Sequence, residues 1–199
     1  GLKTQVEFIS ANPTGPLTLG NGRGAFTGDT LSKVLTLSGF DIEREYYLND
    51  RGNQVEILGK SVLNQVLLEK GEKGLEGDEF YKGEYIKELA KDFTAVKNSK
   101  EDLAAVTEAT LKKLISQSKS LVTEKLRVDF DVWFSESSMY QENLQIEVLK
   151  ILTEKKLTYE TEGSIWFKST KFGDDKDRVL VKADGEYTYF LSDIIHKAY

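Results

Sequence analysis

Between residues 6 and 48 the chain runs strand, glycine-studded loop, helix, strand, and that order restricts its fold more than any other feature. Val6, Phe8 and Ser10 alternate with Glu7 and Ile9 as in a strand, and Asn12-Pro13-Thr14-Gly15-Pro16 must then turn. Leu17-Thr18-Leu19-Gly20-Asn21-Gly22-Arg23-Gly24 leads into a helix-like stretch with Leu31, Val34, Leu35 and Ser38 on one face and Gly39 as its stop. A second strand is expected over 41–48, with Ile42, Tyr46 and Leu48 on one side. Strand–helix–strand units of this kind place their strands parallel, so the chain is expected to be α/β.

Beyond residue 50 the pattern changes. Val55, Leu58, Val62, Leu63, Val66 and Leu67 predict a long helix from about Asn53, followed by a loop over 71–82 and a short helix over 83–93. Leu103, Val106, Leu114, Leu121 and Val122 form the apolar stripe of a helix over 101–127. A strand over 129–134 follows, then a helix over 142–156 carrying Ile146, Leu149, Ile151 and Leu152. Strands over 164–169 and 178–182 make a hairpin-like pair around a polar loop at 172–177, and 187–199 passes into a helix. A complete doubly wound sheet needs more strand–helix alternations than this. The chain therefore reads as the first half of a Rossmann-like nucleotide fold (1–69), a large mixed α+β insertion (70–185) and a return to the fold (186–199).

Composition removes several chemistries. The 199 residues include no cysteine, which excludes thiolate zinc sites and cysteine nucleophiles, and one histidine, His196, which argues against a His-rich metal centre or a Ser-His-Asp triad. His196 itself reads as a surface or helix residue, and Trp133 and Trp166 read as core. Lys and Arg number 27 against 33 Asp and Glu, a net charge of −6, so bulk charge does not recruit nucleic acid. No apolar run approaches the roughly 20 residues that span a bilayer, and no signal peptide opens the chain, so a reduced cytoplasmic location is expected.

Glycines at 20, 22 and 24 after a strand and at the head of a helix resemble a loop that lets a phosphate approach the backbone. Tight turns and close helix–strand packing use glycines in the same way, and the pattern alone does not separate the two. A P-loop is excluded, since no Gly-Lys-Ser/Thr follows.

The longer string does separate them. Residues 6–24, Val6-Glu7-Phe8-Ile9-Ser10-Ala11-Asn12-Pro13-Thr14-Gly15-Pro16 onward, resemble the opening of the catalytic domain of arginyl-tRNA synthetases, in which 18–21 is the class I "HIGH" tetrapeptide. The resemblance continues at 45–50 and 52–54, at Asp131-Val132-Trp133-Phe134-Ser135-Glu136, at 165–170 and 172–180, and at Tyr187-Thr188-Tyr189-Phe190-Leu191-Ser192-Asp193-Ile194. These blocks fall in family order over nearly the whole chain.

The resemblance implies ATP binding at Thr18, Gly20, Asn21 and Gly22, with Thr18 and Asn21 as the catalytic pair. Both histidines of the signature are replaced here. A threonine hydroxyl and an asparagine amide still donate hydrogen bonds to phosphate oxygens without a titratable group. A similar Thr-X-Gly-Asn form occurs in some tryptophanyl-tRNA synthetases. Magnesium is expected to accompany ATP, with no side-chain ligand named. Some family members carry at position 15 a lysine that substitutes for the "KMSKS" lysine. Gly15 cannot do so, and Lys97-Asn98-Ser99-Lys100 reads as a solvated loop.

For the amino acid, the resemblance implies that Glu7 and Asp193 face the guanidinium of arginine, that Tyr189 adds a hydroxyl, and that Asn12 holds the α-amino group. A planar, permanently charged guanidinium is best met by in-plane carboxylates. Tyr189 and Asp193 are one helical turn apart, so both reach one site. The insertion is expected near the acceptor end of tRNA(Arg), and Lys168, Lys171, Lys176, Arg178 and Lys182 could meet phosphates there. Interleaved Asp174, Asp175 and Asp177 fit a salt-bridged exposed hairpin as well.

The expected activity is that of an arginine–tRNA ligase. The second half of the catalytic fold, the N-terminal tRNA-elbow domain and the helical anticodon domain lie outside these residues, so this chain alone is expected to be nearly inactive. A non-catalytic arginine- or RNA-binding paralogue or fragment is the alternative.

Overall fold

The computed structural model describes residues 1–77, 79–93, 95–97 and 100–198. The chain divides into two compact units, Gly1–Ser135 and Glu136–Tyr199.

In the first unit β1 (Lys3–Glu7), α1 (Leu19–Leu37) and β2 (Asp41–Leu48) form the expected parallel crossover, with Val6 opposite Arg44 and Glu7 opposite Glu45. A second crossover then leaves β2. It carries α2 (Asn53–Glu69), α3 (Glu84–Ala90) and α4 (Lys100–Ser120), which runs into a π-helical turn at Leu121–Lys125, and returns as β3 (Val132–Ser135) parallel to β2. The sheet order is β1-β2-β3. Thus β3 belongs to the nucleotide-fold sheet although it falls within the stretch 70–185. The three helices pack on one another through Leu58, Val62, Leu67, Ile86, Leu89, Val106 and Leu114. A second cluster joins sheet to helix through Val6, Phe8, Ala25, Val122 and Val128, with Trp133 half-buried beside it and stacked on Tyr46 at 4.4 Å.

Helix α1 departs from the expected pattern twice. It starts at Leu19, so the three glycines lie inside the helix and not in a loop before it. Its buried positions are Ala25, Gly28, Asp29 and Ser32, whereas Leu31, Val34 and Leu37 are exposed. The reason is close approach. A Cβ on Gly28 would lie 2.2 Å from the Phe8 ring, so only small residues fit against the sheet. Asp29 is tolerated there because Arg44 of β2 and Lys33 pair with it at 3.1 and 2.6 Å.

The second unit opens with α5 (Glu136–Gln141) and α6 (Leu144–Glu154), where one helix over 142–156 was expected, and Ile146 and Ile151 of the expected stripe are exposed. An antiparallel sheet β4-β5-β6 follows (Thr158–Thr161, Ser164–Phe167, Arg178–Val181), then α7 (Tyr189–Ala198). Sequence reading missed β4. Its signal was the Glu162-Gly163 pair, which turns with φ of 50° and 74°, the positive-φ geometry of a two-residue hairpin. Trp166 is half-buried and His196 is buried on α7, not exposed.

Candidate active site

Thr18 is the N-cap of α1, and with Asn21 it closes a capping box. The Asn21 amide N–H donates to Thr18 Oγ1 at 3.3 Å, the Thr18 N–H donates to Asn21 Oδ1 at 2.8 Å, and the Thr18 hydroxyl donates to that same Oδ1 at 2.8 Å. The reciprocal bonds satisfy both ends of the pair and fix the direction of the helix mouth. They also decide what each side chain offers a ligand. The Thr18 hydroxyl proton is engaged within the box, whereas the capping box leaves the Asn21 Nδ2 protons unused. The first backbone N–H groups of α1, at Leu19 and Gly20, have no intrahelical acceptor and add the positive end of the helix dipole.

The glycines of this mouth are not there for packing. A Cβ on Gly22 or Gly24 would meet nothing within 4 Å, and one on Gly20 would meet only Thr18 Oγ1 at 3.5 Å. None has a positive φ. Glycine in a helix costs about 0.5–1 kcal/mol relative to alanine. Within this chain neither packing nor backbone conformation offsets that cost.

The loop ahead of the helix is pinned to β2. Ala11 N–H donates to the Tyr46 hydroxyl at 3.3 Å, and Tyr47 N–H donates to Ser10 Oγ at 3.1 Å. Burial pushes the Tyr46 phenol above its ordinary value of 10.0, and the Ala11 hydrogen bond opposes this. Ile9 and Ser10 sit at φ of 65° and 40°, a left-handed conformation that is costly for a β-branched residue. That kink ends β1 and delivers Asn12, whose Nδ2 donates to Gln54 Oε1 at 2.6 Å and whose Oδ1 accepts from Asn49 Nδ2 at 2.7 Å. Asp50 accepts from the Ser135 hydroxyl at the end of β3. Asn49 and Gln54 thus orient Asn12, a role that sequence reading left unassigned.

Asn12, Thr18 and Asn21 line one open cavity of about 670 Å³, together with Ser10, Thr14, Gly15 and two residues not foreseen, Tyr81 and Tyr85. Its lining holds no charged side chain. Glu7 stands exposed at the end of β1 and is not among the lining residues. In the second unit, Tyr189 and Asp193 are both exposed, one turn apart on α7 as their spacing predicts. The start of α7 is held by Thr188, whose hydroxyl donates to the Val179 carbonyl at 2.6 Å.

Within the basic run of the second unit, Arg178, Lys182 and Lys168 are engaged. Arg178 donates to both Asp174 oxygens at 2.7 and 2.6 Å and to Asp175 at 2.9 Å, Lys182 pairs with Glu186, and Lys168 Nζ donates to the Lys156 carbonyl at 3.0 Å. The Arg178 hydrogen bonds hold the Asp174 carboxyl well below the usual carboxylate range. Around Arg178 and Lys182 the geometry is that of a salt-bridged hairpin. Residues 98 and 99 of the Lys97–Lys100 run lie outside the described residues.

Residues 2–199 match the family of class I (R) tRNA synthetase catalytic domains. The chain is 46% identical over 204 aligned residues to an arginine–tRNA ligase of Solidesulfovibrio magneticus, covering all of this chain and 37% of that protein. It is 45% identical to arginine–tRNA ligase 1 of Halalkalibacterium halodurans, covering 98% of this chain and 36% of the relative. A Campylobacter jejuni chain crystallised as a candidate arginyl-tRNA synthetase superposes with a TM-score of 0.85 at 37% identity, over 99% of this chain and 44% of that one. A Thermus thermophilus arginyl-tRNA synthetase, at 20% identity and a TM-score of 0.66, shares the fold. The chain spans little more than a third of the length of the curated relatives. A parallel β1-β2-β3 sheet, a helix mouth capped by Thr18 and Asn21, and a match over all but one residue lead to one statement: this chain belongs to the class I tRNA synthetases of the arginine type, within their catalytic domain.

Proposed function

We propose that these residues form part of the active site of an arginine–tRNA ligase. The carboxylate of arginine attacks the α-phosphorus of ATP, the bond to the bridging oxygen breaks, and pyrophosphate leaves. A ribose hydroxyl at the tRNA(Arg) 3′ end then attacks the carbonyl of the adenylate, and AMP departs. No covalent enzyme intermediate is needed, so the protein contributes positioning and stabilisation of phosphate charge. The observation that carries this reading is the mouth of α1, where three helical glycines serve no packing purpose and leave the first amides open to an anion.

In this reading Asn21 Nδ2 and the Leu19 and Gly20 amides receive phosphate oxygens, and Thr18 holds Asn21 in place. Gly20 and Gly22 leave room for the nucleotide. Glu7, Tyr189 and Asp193 face the guanidinium, and Asn12 takes the α-amino group. Magnesium would arrive on the ATP. The cavity offers hydroxyls and amides but no carboxylate, which suits a metal held by the nucleotide phosphates. Residues 1–69, 70–185 and 186–199 then serve as first half, connective insertion and return, with β3 as the insertion's anchor in the sheet. Among the described residues no helix is long and apolar enough to cross a membrane, and we place the protein in the cytoplasm.

The test is arginine-dependent ATP–pyrophosphate exchange, run with tRNA(Arg) present on this chain and on the longest polypeptide that contains it. Exchange by the longer polypeptide with arginine, and none with lysine, supports the reading. No exchange by it under any condition overturns it.

A further inference from the structure

We propose that Tyr85 is a positioning residue for the 12–18 loop, holding the cavity that Asn12, Thr18 and Asn21 line. This rests on the reading of that cavity as the site of adenylate formation, and it brings in a helix to which that reading assigns no role. The loop has few anchors of its own. Pro13 and Pro16 lack N–H groups, and the Thr14 N–H donates to the Asn12 carbonyl at 2.8 Å. Among the described residues, the one hydrogen bond reaching 13–17 from another element is that of the Tyr85 hydroxyl, which donates to the Thr14 carbonyl at 3.1 Å.

The ring also faces the loop. A Cβ placed on Gly15 would lie 3.4–3.6 Å from the phenol end of Tyr85, ordinary van der Waals contact, so the ring stands about one methyl group's space from the Gly15 backbone. Tyr85 is itself firmly held. Its neighbours Ile86 and Leu89 are 3% exposed in the core that α3 shares with α2 and α4, and the Tyr85 ring packs on that core. The long β2–β3 crossover thereby braces the middle of a loop whose two ends carry Asn12 and Thr18. Tyr81, in the irregular segment ahead of α3, lines the same cavity.

Two variants test this, each in the 199-residue chain and in the longest polypeptide containing it. Tyr85→Phe keeps the ring and removes the hydrogen bond; Tyr85→Ala removes both. Amide hydrogen exchange at Thr14, Gly15, Leu17 and Thr18 is expected to quicken about five- to tenfold in Tyr85→Phe and further in Tyr85→Ala, while Ile86 and Leu89 in the Phe variant exchange as before. In ATP–pyrophosphate exchange, Tyr85→Phe is expected to raise the KM for ATP severalfold with a smaller change in kcat, at an unchanged melting temperature. Loop amides that exchange as in the parent in both variants overturn the proposal, as does a loosened loop with unaltered KM and kcat. A parent polypeptide without exchange activity refutes the ligase reading instead, and the amide measurement still decides the role of Tyr85.

Discussion

Thr18 and Asn21 stand where the class I signature carries histidines, and their mutual hydrogen bonds give them unequal roles. The capping box leaves the Asn21 Nδ2 protons unused, whereas the Thr18 hydroxyl donates to Asn21 Oδ1. Asn21→Ala is therefore expected to lower kcat for adenylate formation by about 100- to 1,000-fold, the usual loss for one donor to developing charge. Thr18→Ala should lower kcat less, and in both variants kcat should fall more than the KM for arginine rises. Exchange kinetics decide this; an effect confined to the arginine KM would move Thr18 into the amino-acid pocket. Glu7→Gln and Asp193→Asn each remove one charge partner proposed for the guanidinium. Calorimetric arginine affinity should fall by about 10- to 150-fold in each, the equivalent of one charge-assisted hydrogen bond.

Among the elements, α1 shows that glycines alike in sequence do opposite work. Gly24 faces open space and Gly28 faces the Phe8 ring. Gly24→Ala is expected to raise stability by about 0.5–1 kcal/mol, since it removes helix-disfavouring freedom without a clash. Gly28→Ala should lower stability by about 1–3 kcal/mol, because Phe8 must move to admit a methyl group. Urea midpoints measured on both variants give the sign directly. Helices α2 and α4 meet in the same manner. A Cβ on Gly59 would lie 1.8 Å from Thr107 Oγ1, so Gly59→Ala should destabilise by a similar amount, and Thr107→Ala in the same chain should recover part of the loss.

For the whole molecule, burial of tyrosines weakens stability at alkaline pH. The folded-state pKa of Tyr46 lies above the ordinary 10.0, with burial as the main cause, and that of Tyr85 is raised for the same reason. A raised value means that the folded state keeps a proton which the unfolded chain loses. The contribution is fully present below pH 10 and disappears as pH rises through the folded-state value. Melting temperature should fall with increasing pH above about 10, and Tyr46→Phe should make that fall shallower. On the acid side, Asp174 is depressed by Arg178, so its contribution is present above the ordinary carboxylate range and is lost as pH drops below it. The pair is partly open to solvent, so that loss should be small.

Local pattern and family likeness determined a good part of this protein. The β1-α1-β2 crossover, the start of α2 at Asn53, the pairing of β5 with β6 and the helical spacing of Tyr189 and Asp193 were all legible, because each follows from the local pattern and order of consecutive segments. Tertiary structure decided the rest. The buried face of α1 could not be read from Leu31 and Val34, because a close helix–sheet contact selects small residues over large apolar ones. The pairing of β3 with β2 joins residues more than 80 apart, and short strands carry no local mark of their partner. Tyr85 reaches Thr14 across 71 positions, and only packing of α3 on the helical core brings it there. Which glycines accommodate a ligand and which accommodate a neighbouring side chain is a question of the space around them, and that space exists only once the chain has folded.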